Sequence, residues 1–187
     1  MLAGSLQAAM PHTIELDTRQ QDVPNWTVWE VSGGQLISAA PVYAGISWGQ
    51  VQALTIPFSD NDGFWYADIP FTLPAGAQNI VLHIHRLGAD DRAVVQLNGN
   101  DVTSSGTDNS GAGEMTFTDG GPNQPYTFLY ISGPESIKYR SNFVIGQNDL
   151  RIYVNNTGQG VTGVPVPPSQ GNPTAIGIYA AVTYQTR

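Results

Sequence analysis

His83 and His85 are the residues in this chain best spaced for chemistry on a strand. Successive strand residues face opposite sides of a sheet, so an H-x-H pair puts both imidazoles on one face, where they could share a metal ion. The sequence offers no evident third ligand, so exposed or interface side chains are the favoured reading. Gly45-Ile46-Ser47-Trp48-Gly49 matches the G-x-S-x-G pattern of a nucleophile elbow. An elbow needs a strand before the serine and a helix after it, whereas Gln50 to Ile56, QVQALTI, alternates as a strand, so a glycine-flanked turn or bulge is expected and no catalytic residue is assigned. Ser59-Asp60-Asn61-Asp62-Gly63 is similar to the start of a calcium loop, with Asp60 and Asp62 as candidate ligands. Its glycine comes early and no glutamate closes it, so a tight turn before Phe64 is preferred and no cofactor is expected.

Trp26, Trp29, Trp48 and Trp65 could stack on apolar ligand faces or fill a core. Trp26 and Trp29 are an odd number of residues apart on one strand, so their indoles face opposite ways and Trp29 is the candidate for an outward contact.

The elements that must position these side chains are strands. The segment Gly63 to Val102 contains three alternating runs, Phe64 to Phe71, Asn79 to Arg86 and Arg92 to Asn98. They are punctuated by Pro74-Ala75-Gly76, by Gly88-Ala89-Asp90-Asp91 and by Asn98-Gly99, the strongest short hairpin signal. Further strands are expected at Trp26 to Val31, Gln50 to Ile56, Glu114 to Phe117, Tyr126 to Ile131, Asp149 to Asn155 and Thr174 to Tyr184, and no segment shows sustained helical periodicity. This pattern predicts an all-β fold, a single-domain antiparallel β-sandwich or jelly roll over residues 23–187, with an extended N-terminal arm over residues 1–22 and long Gly/Pro-rich loops. The long connections are Gly99 to Gly113, Asp119 to Gln124 and Asn156 to Pro173, of a length often given to partner contact.

Alternation also assigns faces. Ile80, Leu82 and Ile84 oppose Val81, His83 and His85; Val95 and Leu97 oppose Val94 and Gln96; Leu150, Ile152 and Val154 oppose Arg151 and Tyr153. If these strands neighbour one another, His83, His85, Gln96, Arg151 and Tyr153 line one polar face for a ligand or a subunit.

The chain has 187 residues, 12% of them charged, with 21 glycines and no cysteine. Disulfides and thiolate metal sites are thereby excluded. A formal net charge of −8 repels phosphate backbones and anionic membrane surfaces, so nucleic acid is not an expected partner. No run reaches the length of a membrane-spanning helix, and Met1 to Met10 lack the basic and apolar regions of a secretory signal.

The run Ala89 to Val102, ADDRAVVQLNGNDV, followed later by GQNDLRIYVNNTG from Gly146, resembles the galactose-binding-domain-like jelly rolls of bacterial surface proteins and glycosidase accessory domains. The resemblance covers roughly Gly63 to Tyr184 and implies architecture first, because Asn98-Gly99 and Gly146-Gln147-Asn148 are turn chemistry; it also raises a glycan ligand. Taken together, the expectation is a non-enzymatic structural or adhesive β-sandwich on a virion or other extracellular particle surface, such as a phage capsid-decoration or tail-associated protein. Its expected partners are further copies of itself, with a trimer preferred, and capsid or other particle-surface proteins. A soluble lectin or carbohydrate-binding module is the alternative.

Overall fold

Strands with one apolar and one polar side are stable only when the apolar sides face each other, and this chain satisfies that demand with two packed layers. The computed structural model describes residues 9–18, 26–32, 35–48, 51–55, 63–90, 92–102, 117–119, 127–131, 137–156 and 175–186. Among them are fourteen strands and no helix: β1 (Met10–Asp17), β2 (Thr27–Ser32), β3 (Gln35–Ala39), β4 (Val42–Trp48), β5 (Val51–Thr55), β6 (Gly63–Leu73), β7 (Gln78–Asp90), β8 (Arg92–Leu97), β9 (Asn100–Asp101), β10 (Phe117–Asp119), β11 (Thr127–Ile131), β12 (Ile137–Tyr139), β13 (Gly146–Asn156) and β14 (Ala175–Thr186).

An eight-stranded sheet runs β10-β11-β7-β14-β5-β4, with β1 on β14 and β12 on β7; a six-stranded sheet runs β3-β2-β6-β13-β8-β9. All pairings are antiparallel. The chain is an all-β antiparallel sandwich. It passes from the six-stranded sheet to the other between β3 and β4, β6 and β7, β9 and β10, and β13 and β14, and β6 pairs with β13 in one layer while β7 pairs with β14 in the other.

Inward side chains from both layers form the core: Trp65, Ala67, Ile69, Phe71 and Leu73 of β6, Leu82, Ile84 and Leu87 of β7, Val95 and Leu97 of β8, Leu150, Ile152 and Val154 of β13, and Ile176, Ile178, Ala180 and Val182 of β14. Each such large aliphatic or aromatic side chain contributes roughly 1.5–3 kcal/mol by leaving water. The extended segment expected at His12 to Leu16 lies in β1, whose eight residues all pair with β14. The segment set apart as an arm therefore supplies a strand to the sheet. Thr18 extends that edge: its N–H and hydroxyl both donate to the Ile178 carbonyl, at 2.9 and 3.0 Å.

Two local expectations need correcting. Gly88-Ala89-Asp90 is not a turn, since β7 continues to Asp90 and Gly88, Ala89 and Asp90 pair with both β11 and β14. The strands β3 and β4 are absent from the sequence reading because QLISA and VYAGISW mix small and polar residues without clean alternation. By contrast, Asn98-Gly99 forms the expected tight turn. Both residues have positive φ, 50° and 78°, the signature of a type I′ hairpin, and the Val102 N–H closes it onto the Val95 carbonyl at 2.9 Å.

Candidate functional site

The outer face of the six-stranded sheet carries the densest arrangement of interacting polar and aromatic side chains among the described residues. Register sets it up. Trp29 of β2 lies opposite Tyr66 of β6, which lies opposite Tyr153 of β13, which lies opposite Val94 of β8. One step along, Asp68, Arg151, Gln96 and Asp101 form a parallel row. All these positions alternate with core residues, so the packing that buries Ala67, Ile152 and Val95 directs the row outward.

Arg151 is the centre. Its Nε donates to Asp68 Oδ1 at 2.6 Å and its Nη2 to Asp68 Oδ2 at 3.0 Å, a two-pronged pair, while Nη1 donates to the Tyr153 hydroxyl at 3.2 Å. The guanidinium carbon lies 4.3 Å from the centroid of the Tyr66 ring and 5.7 Å from that of Tyr153, within cation–π range. The Trp29 and Tyr66 rings are near-parallel with centroids 6.1 Å apart, and Tyr66 and Tyr153 are tilted at 5.4 Å. Gln96 donates to Asp101 Oδ1 at 2.9 Å. These contacts fix the side chains relative to one another. The Trp29 indole nitrogen is enclosed and has no hydrogen-bond partner.

The charges do not balance within this face. Hydrogen bonding to Asp68 holds the Arg151 guanidinium more firmly protonated than usual. Asp149, diagonal to Asp68 across the β6–β13 pair, reaches Arg151 Nη2 at only 3.7 Å. Its carboxyl is pushed up to about 6, first by burial and then by the neighbouring Asp68, and the more distant guanidinium does not offset them. Burial likewise raises the Tyr66 phenol.

The expected single polar face does not exist. His83 and His85 lie on β7 in the eight-stranded sheet, whereas Gln96, Arg151 and Tyr153 lie on β8 and β13 in the six-stranded sheet, on the opposite outside of the sandwich. The physical reason is strand pairing: β7 pairs with β14, β11 and β12 in one layer, whereas β8 pairs with β13 and β9 in the other. Trp29, half-buried, belongs with Arg151 and Tyr153, while Trp26 and Trp65 are buried. The Trp48 side chain lies outside those described.

His83 and His85 stack at 5.9 Å with planes 7° apart, His85 also meets the Tyr179 ring at 4.7 Å, and His83 Nε2 is 3.0 Å from Thr183 Oγ1. Between Arg86, opposite Tyr179, and Ile84, opposite Ala180, the register shifts by one, so His85 is the extra residue of a β-bulge. Burial lowers the His83 pKa, and His85, Lys138 and Arg140 add to the effect. Among the described residues no group of three His, Asp or Glu side chains is placed to hold a metal ion. Asp60 and Asp62 lie outside the described residues. Ser47 sits in β4 opposite Gln52 of β5, so a strand follows it where an elbow would have a helix.

The residues that sequence reasoning missed are Tyr66, Asp68 and Asp149. The signal was present: Tyr66-x-Asp68 and Asp149-x-Arg151-x-Tyr153 each put polar groups on every second position of a strand whose other positions are apolar. The turn motifs Asn98-Gly99 and Gly146-Gln147-Asn148 meet in space. Asn98 donates to Asn148 Oδ1 at 2.9 Å and to the Asn142 carbonyl at 2.8 Å, and Asn142 donates to the Tyr139 hydroxyl. Buried Asn148 accepts from the Val144 N–H and donates to the Val144 and Gly146 carbonyls, so these residues hold one end of the sandwich together.

No family model matches the chain, and no curated protein does. Among solved structures it is similar to the β-D-glucuronidase of Dictyoglomus thermophilum, at 16% identity and a TM-score of 0.39, over 96% of this chain and 29% of that one. So distant a likeness carries no argument about activity. The fold and the face together define an antiparallel β-sandwich with a preorganised aromatic and ionic surface on one layer.

Proposed function

We propose that the protein is a non-enzymatic, self-associating β-sandwich that acts as a structural or adhesive component of a virion or other extracellular particle surface, and that the outer face of its six-stranded sheet is a contact surface. The observation that carries this reading is the convergence of Trp29, Tyr66, Arg151 and Tyr153 on one open sheet face. Tryptophan, tyrosine and arginine dominate the energetics of protein interfaces, because each offers a large rigid surface or a fixed fork of donors at modest entropic cost. Here the fork is held in advance by Asp68, which lowers the ordering cost of binding. Exposed Val94 beside Tyr153 and exposed Leu36 on β3 add apolar area to the same layer.

A second reading, a carbohydrate-binding module of the galactose-binding-domain-like kind, is favoured by the amide of Gln96, the carboxylate of Asp149 and the Tyr153 ring all grouped around Arg151, a mixture suited to stacking on a sugar and bonding its hydroxyls. Sedimentation of the wild type and of Tyr153→Ala over micromolar concentrations, beside a glycan array, separates the two. The proposal expects an assembly that Tyr153→Ala weakens by about 1–3 kcal/mol and no glycan signal. A strictly monomeric wild type with glycan binding that disappears in Tyr153→Ala would establish the second reading instead.

A further inference from the structure

Each outside of the sandwich carries a local cluster of one charge sign. On the six-stranded sheet Asp68 and Asp149 share one guanidinium, and Arg151 is committed to Asp68 by both prongs, so Asp149 at 3.7 Å is left under-neutralised. Asp101 on β9 adds a further carboxylate, which accepts from the neutral amide of Gln96. On the eight-stranded sheet a local cluster is basic. Lys138 of β12 lies directly opposite His83 of β7, Arg140 follows on the same side, and Arg86 flanks the bulge at His85. In a chain with only seven basic residues and a net charge of −8, two of them lie on these neighbouring strands and a third, Arg140, directly follows β12.

We propose that copies of the chain associate head to tail, with the Lys138 and Arg86 side of one copy's eight-stranded sheet docking on the Asp149 and Tyr153 side of the next copy's six-stranded sheet. Charge complementarity selects this occupant. An incoming cation gives Asp149 a second partner beside the longer 3.7 Å pair with Arg151 and meets the Tyr153 and Tyr66 rings on which Arg151 already rests. Glu15 on β1 lies across Ala181 from His83, at the far margin of the basic strands, and so does not neutralise Lys138. The two surfaces are different and lie on opposite outsides of the sandwich. The contact is therefore heterologous, and copies add successively rather than closing as a two-fold pair.

This inference rests on the self-association proposed above, and charge-reversal variants test it separately. One variant carries Lys138→Glu and Arg86→Glu; the other carries Asp149→Lys, with Asp149→Asn as a milder companion, and circular dichroism establishes that each is folded. Wild type should form species larger than 20.0 kDa by sedimentation, growing with concentration and receding as sodium chloride rises. Each variant alone should associate at least about tenfold more weakly. An equimolar mixture of the two reversal variants should recover association, beginning with a pair, because each retains one native face and the two native faces meet across the proposed junction. A monomeric wild type would remove both the self-association and this inference. Association that ignores salt and both variants, or variants whose mixture recovers nothing, would overturn the head-to-tail contact and leave self-association standing.

Discussion

Replacing Asp149 by asparagine should flatten one component of the protein's pH-dependent stability. Its carboxyl titrates at about 6 against an ordinary 3.8, because it is partly buried and faces Asp68. Arg151, 3.7 Å away, opposes the rise but is already spent on Asp68 at 2.6 and 3.0 Å. A carboxyl held above its ordinary value binds its proton more tightly in the folded chain than in the unfolded one. Its contribution to stability is thus complete below about pH 3.8 and is lost as the pH rises through about 6. For an enclosed group that displacement would correspond to about 3 kcal/mol. The Asp149 side chain is 36% exposed, and solvent screening brings the expected figure down to about 1 kcal/mol. Asparagine keeps the shape and cannot ionise. Urea unfolding followed by tryptophan fluorescence at pH 4, 5, 6 and 7, at submicromolar protein, should therefore show wild type losing about 1 kcal/mol relative to D149N between the ends of that range. A constant difference across the range would refute the account. A wild type that gains on D149N as pH rises would show that Arg151, not burial and Asp68, governs this carboxyl.

Arg151→Ala removes the guanidinium paired with Asp68 and exposes two carboxylates to each other, and should cost about 2 kcal/mol in urea unfolding. Arg151→Lys should recover only part of that, since an ammonium cannot reproduce the fork. Asn148→Ala deletes four hydrogen bonds from a side chain that is 1% exposed and should cost about 3 kcal/mol, leaving the Val144 and Gly146 carbonyls unpaired. Ser47→Ala should leave turnover of an activated ester at the wild-type level; turnover that vanishes in this variant would make Ser47 a nucleophile after all.

Most of the strands and their inward sides are legible in the sequence, because alternation is a property of a single strand and needs no neighbour. Leu150, Ile152 and Val154 had to face a core whatever lay beside β13, and all three are fully buried. The Asn98-Gly99 turn is equally local, since two consecutive positive φ angles are strained for most residues and mild for these two. The contents of each outer face are not local. β7 and β8 are nearly contiguous in sequence, and only the pairing of β7 with β14 and of β8 with β13 sends His83 to one outside and Gln96 to the other. The Asp68–Arg151 fork joins residues 83 positions apart, and Asp149 owes its perturbed proton to the diagonal that this register creates. Sequence by itself determined which side chains point outward, through the two-residue period of the strand. Tertiary structure decided which of them meet, because strand order and register are set by the packing of two sheets rather than by any one segment.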